Sequence, residues 1–65
     1  MCLSAAYVEN GNERQLIMDK VAIMRQDDDT ITFEDLLGRT TSVKGLIASV
    51  DLLENVIVCK GTVAD

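Results

Sequence analysis

Short β-branched or apolar segments, each closed by a polar turn, recur from one end of this chain to the other, and that rhythm constrains the fold more than any other feature. Asn10-Gly11-Asn12 reads as a hairpin turn, because Asn and Gly tolerate the positive φ such turns demand. Asp27-Asp28-Asp29, Leu37-Gly38-Arg39 and Glu54-Asn55 punctuate the rest, and no proline interrupts the pattern. From Cys2 to Glu9 the chain alternates, with Leu3, Ala5 and Tyr7 on one side and Cys2, Ser4, Ala6 and Val8 on the other. Tyr7 is read as a core residue with its hydroxyl at the rim.

Gln15 to Met18 and Lys20 to Gln26 read as two strands with a bend near Asp19. A helix over Arg14 to Gln26 would put Leu16, Val21, Ile23 and Met24 on no single stripe. Thr30 to Asp35 continues as a strand with Ile31 and Phe33 inward. Thr40 to Lys44 and Leu46 to Leu53 flank Gly45, a position suited to the kink that bends strands at barrel corners. Val56 to Lys60 is the last strand, and Gly61 to Asp65 reads as a loose tail. Six or seven short strands in 65 residues hide their edges by curling round on themselves. The expectation is an all-β fold, a small SH3-like or Sm-like β-barrel occupying residues 1–65 as one domain.

So short a chain removes only roughly 60% of its unfolded surface from water. With Tyr7 and Phe33 as its only aromatics, the core is built from Leu, Ile, Val, Ala and Met, and association into a homodimer is the natural way to bury more apolar area. A net charge of -5 opposes binding to the phosphate backbone of nucleic acid or to an anionic membrane. No apolar run approaches the roughly 20 residues that span a bilayer, and nothing like a signal peptide precedes Cys2, which points to the cytoplasm. In that reducing compartment Cys2 and Cys59 are thiols or metal ligands, not a disulfide.

The chain has no histidine, so it has no ordinary general base, no Ser-His-Asp set and no Cys-His pair. An enzyme is not expected. Glu34 and Asp35 alternate to opposite faces of a strand and cannot share a substrate bond; one reads as exposed, the other as packed or capping. The Asp27-Asp28-Asp29 run lacks the spaced oxygen ligands and bend glycine of a calcium loop and reads as a solvated turn. The glycines at 11, 38, 45 and 61 are isolated, so no nucleotide-binding fingerprint exists.

Cys2 carries the chemistry that remains. Removal of Met1 leaves a free α-amine beside the Cys2 thiol, and nitrogen and sulfur then close a five-membered chelate ring. With Met1 retained, its amine, the Cys2 amide nitrogen and the Cys2 sulfur supply the donors. Either set favours late first-row metals such as nickel, copper or zinc over magnesium or calcium. Cys59 shares a strand face with Ile57 and reads as a buried structural thiol. A second-ligand role for it would require the first and last strands to be neighbours.

The start Met1-Cys2-Leu3-Ser4, the turn Leu37-Gly38-Arg39 and the stretch Val43-Lys44-Gly45-Leu46-Ile47-Ala48-Ser49-Val50-Asp51-Leu52 resemble the CooT family of small nickel-binding proteins. The likeness runs from Cys2 to about Val58. It implies an accessory protein in the maturation of nickel carbon monoxide dehydrogenase, dimeric, with Cys2 as the ligand to Ni(II) and the dehydrogenase or its maturation factors as partners. Cys59 matches no motif of that family. The Met-Cys-Leu start is shared with HypC-type hydrogenase maturation chaperones, but the proline that commonly follows in those proteins is missing here. An Sm-like shape also invites an RNA-binding reading, which the acidic balance opposes.

Overall fold

The computed structural model describes residues 3–64; Met1, Cys2 and Asp65 lie outside them. Six strands, β1 (Ser4–Asn10), β2 (Glu13–Val21), β3 (Ile23–Asp27), β4 (Thr30–Glu34), β5 (Thr40–Asp51) and β6 (Val56–Val63), form one sheet in the order β2-β1-β6-β5-β4-β3. No helix is present among the described residues, and none is therefore long and apolar enough to cross a membrane. The turns fall where the polar residues predict them. Gly11, Asp28, Gly38 and Asn55 supply the positive φ values, 66°, 56°, 83° and 60°, that Gly, Asn and Asp adopt most readily.

All strand pairs are antiparallel except the central one, where β1 runs parallel to β6 with Ala6 opposite Ile57 and Val8 opposite Cys59. The long β5 serves two partners. Its first half, Thr40 to Lys44, pairs with β4, while Val43 to Asp51 pairs with β6. Where the two ladders overlap, Gly45 (φ 154°) faces Gly61 (φ 150°) in register. Each backbone approaches the other so closely that a Cβ on Gly45 would land on the Lys60 carbonyl oxygen and lie 2.9 Å from the Gly61 Cα. A Cβ on Gly61 would meet the Lys44 carbonyl in the same way. The expected kink at Gly45 is thus half of a two-glycine crossing.

The structure departs from the sequence reading in four places. The bend between the second and third strands is at Ala22, whose amide donates to the Glu34 carbonyl at 2.8 Å, and not at Asp19; two register breaks against β1 let β2 run on through Asp19 to Val21. Gly61 to Val63 is strand, held to Val43–Gly45, and the Ala64 amide still donates to the Ser42 carbonyl at 2.8 Å. Tyr7 points away from the core, half-buried, because Ala6 and Val8 take the inward positions; the Arg14 guanidinium sits 6.0 Å from its ring centroid. Among the described residues no ladder joins β2 to β3, so the sheet is curled but open where the sequence predicts a closed barrel.

The curl encloses a small core. Ala6, Val8, Val21, Ile31, Phe33, Val43, Ile57 and Cys59 meet inside it, with Ile17, Met18, Met24 and Ile47 packed against them. Ile31 and Phe33 are fully buried, as their strand alternation predicts.

Asp35 is the capping carboxylate anticipated from Glu34-Asp35. Its Oδ1 accepts the amides of Leu37 (2.9 Å) and Arg39 (3.0 Å), and its Oδ2 accepts the Arg39 Nε at 2.7 Å. Glu34 pairs with Arg25 at 3.0 Å. Burial pushes the Asp35 carboxyl up, but the Arg39 side chain, the Arg39 amide and the Leu37 amide outweigh it and hold the group below its ordinary value of 3.8. A depressed folded value means that the stabilisation is complete above the unfolded value and is lost as pH falls through the folded one. Asp35→Asn, which keeps an acceptor oxygen but not the charge, should therefore melt below the parent at neutral pH. The gap in Tm should begin to narrow as the pH drops under about 3.8 and close only below the depressed folded value; a gap constant with pH would contradict the assignment.

Candidate functional site

The metal ligand anticipated from the sequence is Cys2, with Met1 contributing if retained, and both lie outside the described residues. What is described is the place from which they depart. Ser4 opens β1 opposite Val21, and the Ala5 amide donates to the Asn55 carbonyl at 2.9 Å. The start of β1 is thereby pinned between the end of β2 and the β5–β6 turn. Leu3 stands between two open grooves. One is walled by Ile17, Met18, Leu36 and Leu37 and rimmed by Asp19, Lys20, Asp35 and Arg39. The other is bordered by Asp19, Lys20, Glu54, Asn55 and Val56.

Cys59 is not brought to this end. The first and last strands are neighbours, which satisfies the condition for a second-ligand role, but the register sets Cys59 level with Val8. Val8 is four residues beyond Ser4, about 13 Å at the strand rise. Cys59 is fully buried in the core, and desolvation pushes its thiol above the usual cysteine value. Because the thiolate is the species that binds metal, a buried thiol with a raised pKa makes a poor ligand. Cys59→Ser should put an unpartnered hydroxyl among apolar side chains, cost about 1–3 kcal/mol and lower Tm by roughly 5–20 °C. A serine variant as stable as the parent would place the thiol outside the packed interior.

Among the described residues no three His, Cys, Asp or Glu side chains gather closely enough to hold a metal ion.

Charge is distributed with little free positive surface. Arg14 pairs with Glu9 (3.3 Å), Arg25 with Glu34 (3.0 Å), Arg39 with Asp35 (2.7 Å) and Lys44 with Asp29 (3.8 Å). Of the six basic residues, only Lys20 and Lys60 stand outside an ion pair among the described residues.

Two features of this end went unread in the sequence. Leu36-Leu37 and Leu52-Leu53 sit on turns and are exposed, although leucine in an all-β pattern suggests strand interior. The signal was the triplet Asp-Leu-Leu, which occurs at Asp35 and again at Asp51, since Asp at the start of a turn caps the amides that follow.

Comparison with known proteins bears on this end directly. The fold superposes on the crystal structure of a protein described as CooT from Carboxydothermus hydrogenoformans, with a TM-score of 0.82 and 20% identity, covering 92% of this chain and 97% of that one. At that identity the likeness establishes the fold. No curated protein matches the sequence. The family described as CO dehydrogenase accessory protein CooT, however, matches residues 1–60, which takes in Met1, Cys2, the grooves beside Leu3 and both Asp-Leu-Leu turns, and the chain belongs to that family.

Proposed function

We propose that this protein binds Ni(II) through Cys2 and the adjoining N-terminal nitrogen, and serves as a nickel carrier or sensor in the maturation of nickel carbon monoxide dehydrogenase. The observation that carries the reading is the family match over residues 1–60, in which the Met-Cys-Leu start is included. The metal is cargo. An amine or amide nitrogen with a thiolate suits square-planar Ni(II), and two chains meeting about a two-fold axis would offer two sulfurs and two nitrogens to a single ion. The protein acts as a homodimer in the cytoplasm, without catalysis of its own, and its partners are the dehydrogenase or its maturation factors. The ion-paired basic residues support this reading over RNA binding, because phosphate affinity comes from free positive charge.

Titration of the purified full chain with Ni(II), followed by thiolate-to-nickel absorption in the near ultraviolet, tests the proposal beside an RNA-binding assay at physiological salt. Saturable binding with that absorption is expected, and no RNA binding. Affinity should fall as the pH is lowered, since thiol and amine must lose protons to coordinate. Acetylating the terminal amine should weaken binding by removing one donor. A flat pH profile, or an acetylated protein that binds unchanged, would rule out the N-terminal chelate.

A further inference from the structure

The ladder between β1 and β6 stops before β6 does. Its last register pair is Glu9 with Lys60, after which β1 leaves the sheet through the Gly11-Asn12 turn, while β6 runs on against β5 to Val63. The Ala64 amide donates to the Ser42 carbonyl at 2.8 Å, so Val63, one residue before, turns its own amide and carbonyl away from β5. Among the described residues no strand pairs with it there. An open groove takes the place instead, lined by Val8, Asn10, Glu13, Gln15, Gly61 and Val63. A strand edge left without a partner is a template for an incoming backbone.

Charge selects what kind of chain fits. Thr30, Lys44 and Thr62 form one cross-strand row, which sets the β3–β4 turn level with the open end of β6, and Asn10 opposite Glu13 sets the β1–β2 turn beside it. Glu13, Asp27 and Asp28 are exposed and carry no ion pair among the described residues. Lys44, in the same row, is taken up by Asp29 at 3.8 Å. The rim is therefore negative at both turns, which attracts a basic segment and repels nucleic acid or anionic lipid. This groove is remote from the candidate nickel site, since Asn10 lies six residues beyond Ser4, about 20 Å at the strand rise.

We propose that this end of the sheet docks an extended basic segment of another protein, which adds as a short strand along residues 61–63 with its Lys or Arg side chains toward Glu13, Asp27 and Asp28. Main-chain hydrogen bonds to Val63 hold the segment, and the acidic rim selects it. The inference does not rest on nickel binding.

Nuclear magnetic resonance of the metal-free full chain tests it, with two end-blocked hexapeptides as probes, Lys-Val repeated three times and Glu-Val repeated three times. The basic peptide should shift the amides of residues 61–63 and slow hydrogen exchange at Val63; the acidic one should do neither. Glu13→Lys with Asp27→Lys should weaken the basic peptide roughly tenfold, while far-ultraviolet circular dichroism stays unchanged because both positions are exposed. Val63→Pro should abolish binding and leave the pairing of β5 with β6 intact, since the amide it removes faces away from β5. A basic peptide that leaves exchange at Val63 unchanged, an acidic peptide that binds as well, or a charge variant that binds as tightly as the parent would overturn the docking. If Val63→Pro does not fold, the exchange and charge measurements decide the matter alone. Because nickel is absent throughout, a protein that takes up the basic peptide as described yet binds no metal would sink only the nickel reading. One that binds nickel but leaves Val63 untouched would sink only the docking.

Discussion

Replacing Gly45 or Gly61 with alanine is expected to remove most of the folding free energy of this protein. A side chain at either position must adopt a φ near 150°, which costs about 1–3 kcal/mol, and its Cβ would collide with the carbonyl of the facing strand. Relief of that collision moves backbone, not a flexible side-chain tip, and adds about 1–3 kcal/mol more. At about 0.05–0.15 kcal/mol per residue a chain this short has only about 3–10 kcal/mol to lose. Thermal melts should show Tm falling by more than about 10 °C for either variant. Gly11→Ala is the control, because nothing lies within 4 Å of a Cβ there; it should cost only about 1–2 kcal/mol for its left-handed φ. If Gly45→Ala melts within a few degrees of the parent, the two strands do not cross as closely as described.

Cys2→Ser is expected to have the largest effect on function. Changes outside the first coordination sphere commonly cost about 10–100-fold in metal affinity, and loss of the sulfur itself should cost at least about 100-fold. The near-ultraviolet thiolate-to-nickel absorption should disappear with it. The fold should survive, because the core is assembled from residues of the strands, from Ala6 to Cys59. Circular dichroism separates the two effects. A serine variant that binds nickel as tightly as the parent would place the site elsewhere on the chain.

The strands were legible wherever alternation and turn chemistry agreed. Ile31 and Phe33 face inward, Asn10-Gly11-Asn12 turns, and Asp35 caps, because each rests on local physics. Legibility failed where the decision was made across the sheet. Gly61 to Val63 looks like a tail in isolation and is strand because Val43 to Gly45 is available to pair with it. Tyr7 looks like core by size, yet the register that buries Ala6 and Val8 turns it outward. The bend at Ala22 is fixed by its hydrogen bond to Glu34, twelve residues away in sequence, and no local signal marks it. For the candidate site, Cys2 lies outside the described residues, and the placement of Lys20 and of Leu36-Leu37 beside Leu3 is set across the sheet, where no local signal in the sequence marks it.

The parallel pairing of β1 with β6 has a kinetic consequence. The first strand made by the ribosome finds one of its two neighbours only in the last, so the central ladder joins residues about fifty positions apart and its closure is a late, non-local event. Until β6 is synthesised, Ala6 and Val8 lack the neighbours Ile57 and Cys59, and the chain from β1 to β5 carries an unfilled slot at its centre. A nascent or C-terminally truncated chain cannot complete the frame that pins the start of β1. The hydrogen bonds that hold Ser4 and Ala5 are all in place only once the β5–β6 turn and β6 have been made.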